Sequence, residues 1–166
     1  MAFYEGSAPD DRGRFLSDII AFDDERIESV HDFIQWLFPM PERSGANPSA
    51  PILDRAAIDE FRARPELRAS LRRSLDRMLA FYGFAWSGGR IVKSASFPGC
   101  SGWLGAGNHN HLRLTRILRS LCVLGESEAA DALLERLSAV YDEDRQSGES
   151  RLSKRTLCFW KSATGT

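Results

Sequence analysis

The sequence has little cysteine, almost no lysine and no long apolar run, and each shortage removes a class of protein. Its three cysteines, Cys100, Cys122 and Cys158, form no close pair. Zinc ribbons and dithiol redox motifs need short Cys spacings, so neither is expected. Reduced, mostly buried thiols of a cytoplasmic chain fit this usage. The longest apolar stretch, Met78 to Trp86 with Gly83 included, is nine residues. A bilayer-spanning helix needs about twenty, so no membrane insertion is expected. Met1-Ala2-Phe3-Tyr4-Glu5-Gly6 lacks the basic start and apolar run of a secretory leader. Also missing are the phosphate-loop lysine motif, the Gly-x-Ser-x-Gly elbow and the His-Glu-x-x-His pair.

What remains is 166 residues, 43% hydrophobic and 27% charged, which suit one soluble domain over 1–166. The net charge of -1 conceals a segregation. Residues 1–60 carry 13 acids and 5 bases, residues 61–121 carry 2 and 11, and residues 122–166 carry 8 and 6. All but three of the 22 bases are arginine. Acidic and basic segments pairing within one fold explain this most simply. The alternative is a basic face for phosphates or carboxylates, whose geometry the guanidinium fork matches. Nucleic acid is not the expected partner.

Helical periodicity dominates. Asp10 and Asp11 can cap a short amphipathic helix whose apolar residues are Phe15, Leu16, Ile19 and Ile20. Asp23 is a good N-cap for a longer one, in which Ile27, Val30, His31, Ile34, Leu37 and Phe38 form a single stripe closed by Pro39 and Pro41. His31 at the edge of that stripe reads as a buried, hydrogen-bonded histidine. Trp36 points off the stripe, so this helix end is either sandwiched, the commoner case, or lines a groove. Asp54 caps a helix with Ile58 and Phe61. Pro65 opens another with Leu67, Leu71, Leu75, Met78 and Tyr82, and Gly83 ends it.

Gly88-Gly89 before Ile91-Val92 suggests a small hairpin, and Gly99, Gly102, Gly105 and Gly107 a glycine-rich loop. Leu114 to Leu124 then make a helix stopped by Gly125. Ser127 caps the next, from Ala130 to Tyr141, and Ser150 to Ala163 gives a last short one. The expected fold is all-α, a compact bundle of about six helices with a Gly-rich loop and at most one small hairpin.

Few residues point to chemistry. His109-Asn110-His111 would chelate a metal only if extended, because in a helix the two rings diverge by about 200°. With no carboxylate nearby in sequence, neither metal nor cofactor is expected. Asn108 or Asn110 can cap the following helix. Arg113 and Arg116 lie in its first turns, at the positive end of the dipole, where a nearby acid or a bound anion must offset them, and free backbone N–H groups expected at that start would themselves bind an anion. The candidate ligand site therefore joins His31, Gln35 and Trp36 to Asn108, His109, Asn110, His111, Arg113 and Arg116. These amide, imidazole and guanidinium groups suit a peptide or an anionic small molecule. The competing reading is a small enzyme using His109 or His111 as acid or base on a phosphorylated substrate, although no nucleophile or carboxylate stands beside them in sequence. A third is that both segments only stabilise helix packing.

Two blocks are more specific than any generic motif. One is His31-Asp32-Phe33-Ile34-Gln35-Trp36-Leu37-Phe38-Pro39. The other is His109-Asn110-His111-Leu112-Arg113-Leu114-Thr115-Arg116-Ile117-Leu118-Arg119-Ser120-Leu121, followed by Leu124-Gly125. With Phe3-Tyr4 and Met78-Leu79-Ala80-Phe81-Tyr82-Gly83 in the same order, the chain resembles the conserved region of the opioid growth factor receptor family. That resemblance implies a non-catalytic, receptor-type binding domain. Animal members bind an enkephalin-type peptide, associate with the nucleus and extend further at the C-terminus. This Arg-rich chain, which has no nuclear-import cluster, is expected to be a bacterial stand-alone relative. The resemblance supplies no catalytic residue.

Overall fold

A computed structural model describes residues 1–45 and 47–165. Among the described residues the chain is mostly helical with one two-stranded antiparallel sheet, so the small hairpin makes it mainly-α. It divides into two compact units, Met1–Met78 with Val123–Gly125, and Leu79–Cys122 with Glu126–Thr166. No helix among the described residues is long and apolar enough to cross a membrane.

The first unit holds α1 (Leu16–Ile20), α2 (Asp24–Ser29), α3 (Ile34–Leu37), α4 (Arg55–Ala63) and most of α5 (Pro65–Phe81). Asp23 and Asp54 cap as the sequence leads one to expect, accepting from Arg26 N and Ala57 N at 2.8 Å each. Asp10 does not cap α1. Its carboxylate instead accepts from the N–H groups of Arg12 and Arg14, and α1 begins after Phe15, whose N–H donates to Asp18. Ile19, Ile27, Phe33, Leu37, Phe61, Leu67 and Leu71 are fully buried.

The expected long helix over 24–38 is interrupted. Val30 is extended at ψ 130°, which ends α2, and α3 restarts only after Phe33. Asp32 in the break is held by Arg14 Nη1 at 2.8 Å and by Asn47 Nδ2 on its carbonyl at 3.0 Å. A β-branched residue on a short helix, followed by a side chain with better partners outside it, ends the helix. His31 leaves the stripe as a result. It is exposed, not the buried core histidine that unbroken periodicity implies.

Charge segregation within this unit resolves as pairing. Arg64 binds Glu5 and Glu60, while Arg77 donates to Asp24 at 2.7 Å and twice to Phe22 O. The Arg64 cluster is exposed, where such pairs contribute little. Arg77 is half-buried and also satisfies the Phe22 carbonyl, in the link between α1 and α2.

The second unit starts with β1 (Phe84–Ser87) and β2 (Arg90–Lys93), paired Phe84 to Lys93 around a Gly88-Gly89 turn with both φ positive. The glycine-rich segment is not all loop. It contains α6 (Phe97–Cys100) and a 3₁₀ turn (Ser101–Leu104) before α7 (Asn110–Val123), α8 (Ser127–Gln146) and α9 (Lys154–Thr164). Ser127 is the first residue of α8 and not its cap; Glu126 takes that position, and its side chain makes no capping bond. Leu114, Ile117, Leu118, Leu133, Leu137 and Trp160 are buried. The basic segment again finds acids, Arg90 with Glu135 and Lys93 with Glu143.

The turn between α8 and α9 is held by Asp144. Its buried carboxylate accepts from Leu152 N at 2.9 Å and Arg151 Nε at 3.0 Å. Burial works to raise its pKa, but these donors outweigh it and hold the carboxyl below the usual range. The stabilisation is therefore complete above about pH 4, the unfolded value, and is lost as pH falls through the lower folded value. We expect Asp144→Asn to cost about 2 kcal/mol at pH 7 in urea unfolding, with the gap to the parent narrowing below pH 4. An equal gap at pH 7 and pH 3 would contradict the ionic role.

None of the three cysteines is in a disulfide. Cys100 and Cys122 are half-buried and Cys158 is exposed, so the expectation of mostly buried cysteines fails at α9. Cys158 follows the helical period onto the solvent side, one residue before the exposed Phe159.

Candidate functional site

In the first unit the structure separates what one helix was expected to align. Gln35 and Trp36 sit on α3, whereas His31 lies in the preceding break. Gln35 is buried, and its Oε1 meets no hydrogen-bond partner among the described residues. Trp36 is half-exposed, not sandwiched. It forms one wall of an apolar pocket of about 280 Å³. Phe3, Tyr4, Phe61, Pro39 and Pro51 supply other walls.

The aromatic walls hold one another in place. Phe3 lies 5.3 Å from Trp36 and 5.8 Å edge-on to Tyr4, which meets Phe61 edge-on at 4.9 Å. Tyr4 OH donates to Leu37 O, and Trp36 Nε1 donates to the exposed Asp11 carboxylate at 3.0 Å. Both polar tips are thus engaged, leaving ring faces for the pocket. The turn through 1–8 that brings Phe3 and Tyr4 here closes on bonds from Ser7 N and Ala8 N to Ala2 O. In the sequence, Phe3-Tyr4 stands out only through the family resemblance. Nothing local marks that pair as a pocket wall.

In the second unit the polar residues converge at the start of α7. Asn108 caps it, its Oδ1 accepting from Asn110 N at 2.9 Å and its carbonyl from His111 N at 3.1 Å. The N–H groups of Leu112 and Arg113 go to His109 O. The free backbone donors expected there are therefore occupied, because the Asn108-His109 turn satisfies them. Asn110 is buried; its Oδ1 accepts from Arg113 Nη1 at 3.1 Å and from Tyr82 OH at 3.4 Å. Arg113 is buried with it. Asn108, His109 and Arg116 remain half-exposed.

His111 is enclosed. Its ring stands edge-on to Trp103 at 6.5 Å and to Trp160 at 5.9 Å, and Nε2–H donates to Trp103 O at 2.9 Å. Trp160 Nε1 in turn donates to His111 O at 3.2 Å. Burial lowers the His111 pKa, the Trp103 carbonyl opposes this, and the neighbouring His109 adds to the lowering. Favouring the neutral ring adds stability that is complete above about pH 6.5 and lost as pH falls through the lower folded value. We expect the His111 ring protons to titrate below pH 6.5 in NMR; a midpoint above it would contradict the burial. Among the described residues no group of three or more His, Cys, Asp and Glu is placed to hold a metal ion.

A second cleft in this unit, of about 250 Å³, has an apolar floor of Phe97, Leu104 and Val140 and a rim with Lys93, Glu143 and Arg151. The rim charges pair with one another or with Asp144 and Glu149.

The model of the opioid growth factor receptor conserved region matches residues 11–141. Rat opioid growth factor receptor is 38% identical over 102 residues, 60% of this chain and 17% of the relative. The human protein of the same name is 34% identical over 119 residues, 68% of this chain and 17% of its own length. Mouse opioid growth factor receptor-like protein 1 is 31% identical over 131 residues, 75% of this chain and 28% of its own length. The chain thus spans between about a sixth and somewhat over a quarter of these relatives. No solved structure matches it. The aligned stretch carries the α3 and α7 blocks and most of α8, and on that match this chain belongs to the opioid growth factor receptor conserved-region family.

Proposed function

We propose that this chain is a non-catalytic binding domain that takes an apolar peptide side chain in its first unit and, as a separate site, an anionic group in its second. The observation that carries the reading is the pocket of about 280 Å³ beside Trp36. Its size suits one or two side chains, and its aromatic and proline walls suit apolar ones. A relative named as a growth factor receptor supports a binding role. The anionic group belongs at the α7 start, with Asn108, His109 and Arg116 at the surface and Asn110, His111 and Arg113 fixing them from below. The reduced-type cysteine usage supports a cytoplasmic setting.

Titration calorimetry with capped amino-acid amides tests the pocket: phenylalanine and leucine amides bind and glycine amide does not. Binding that ignores side-chain size overturns it. For the anionic group, phosphate raises the melting temperature above chloride at equal ionic strength, and Arg113→Ala with Arg116→Ala removes the difference. At a hundred times its dissociation constant a ligand adds about 2.7 kcal/mol. Screening acts on both proteins alike, so a shift retained in full by the double variant removes these arginines from the site.

A further inference from the structure

The Trp36 pocket lies wholly within the first unit, whose residues include 15 acids and 11 bases. Among the described residues no side chain lining it is charged. One carboxylate stands beside its wall. Asp11 follows the lining Pro9 by two residues, and its Oδ1 accepts from Trp36 Nε1 at 3.0 Å. The bases next to it in sequence are engaged elsewhere. Arg12 pairs with Asp32 at 3.2 Å, and Arg14 pairs with the buried Asp10 at 2.6 Å and with Asp32 at 2.8 Å. Glu5, on the N-terminal turn that forms the pocket, is neutralised by Arg64. Asp11 itself forms no ion pair among the described residues, and its Oδ2 takes no hydrogen bond there.

The indole N–H fixes this carboxylate without neutralising it, because the donor is itself uncharged. A held negative charge beside an apolar pocket, in a unit with an excess of acids, discriminates by sign: cations are drawn in and anions turned away. We propose that the peptide taken by the Trp36 pocket carries a basic side chain next to its apolar one, and that Asp11 selects it. The inference rests on the reading of this pocket as a site for a peptide side chain. Lysine suits the position, since its ammonium is a compact charge on a flexible stem that reaches Oδ2 from the neighbouring residue.

Calorimetric titration of the full chain with blocked dipeptides tests the proposal. The probes are the N-acetyl amides of phenylalanyl-alanine, phenylalanyl-lysine, lysyl-phenylalanine and phenylalanyl-glutamate. The tighter of the two lysine peptides binds about threefold more tightly than the alanine peptide, the scale of an exposed ion pair. The glutamate peptide binds more weakly than the alanine one, and high salt removes both differences. Asp11→Asn keeps an oxygen for the Trp36 indole and loses the charge. It binds the alanine peptide with unchanged affinity and no longer prefers lysine. Saturable binding of the alanine peptide with no gain for either lysine peptide overturns this inference and leaves the pocket reading standing. A lysine preference that Asp11→Asn retains in full removes Asp11 from the role. Binding of none of the peptides overturns the pocket reading and this inference with it.

Discussion

Gly83→Ala should lower the melting temperature of this protein by about 10 °C. Gly83 ends α5 at φ +77°, a conformation that costs an L-residue about 1–2 kcal/mol. A Cβ there would also stand 2.7 Å from Phe97 Cα and 3.0 Å from Cys100 Cβ. The first of these is backbone, so α6 must move as a unit, and overpacking of this kind adds about 1–3 kcal/mol. The sum corresponds to a shift of several degrees or more in a chain of this size. Gly89→Ala is the control. Its φ is also positive, at 78°, but nothing lies within 4 Å of its Cβ, so it should show the conformational cost alone. Equal shifts for the two variants, read by calorimetry, would mean that the approach of α6 to Gly83 contributes nothing.

Trp160→Ala should destabilise by about 3–5 kcal/mol, in the range for a large buried aromatic. The side chain is fully buried, packs edge-on against His111 and donates to His111 O. Its loss opens a cavity between α9 and α7. Trp160→Phe restores most of the volume and loses the donor, and it should cost about 1–2 kcal/mol, since Thr115 Oγ1 still donates to His111 O. In Trp160→Ala the His111 ring gains access to water, so its pKa should rise toward the ordinary value, a change that NMR reads independently of stability. A His111 titration unmoved by the cavity would separate the two residues.

Much of the fold was legible because local signals agreed with the tertiary structure. Asp23, Asp54, Pro65, Gly83, Gly125 and the Gly88-Gly89 turn all act as their residue types suggest. Periodicity misled where another partner outbid the helix. The stripe from Ile27 to Phe38 is continuous in sequence, yet Asp32 is claimed by Arg14 and Asn47, and the break carries His31 out to solvent. Glycine-rich 94–107 hides α6 and a 3₁₀ turn, because Phe97, Trp103 and Leu104 bury enough apolar surface to order a segment of low helix propensity. At the α7 start the residue types were readable and their depths were not. Asn110, His111 and Arg113 are interior, and Asn108 with its neighbour closes the helix donors that sequence reasoning left open. The Trp36 pocket depends on a turn through 1–8 that meets α3 and α4, a long-range arrangement that no period or spacing announces.

A ¹H–¹⁵N NMR titration of the chain with N-acetyl-phenylalaninamide tests the binding role most directly. The expected result is a saturable set of shifts confined to the indole N–H of Trp36 and the amides of Phe3, Tyr4 and Phe61, absent in Trp36→Ala. Saturable binding whose shifts fall elsewhere, or no shift at these residues up to the solubility of the ligand, would contradict a ligand pocket at Trp36.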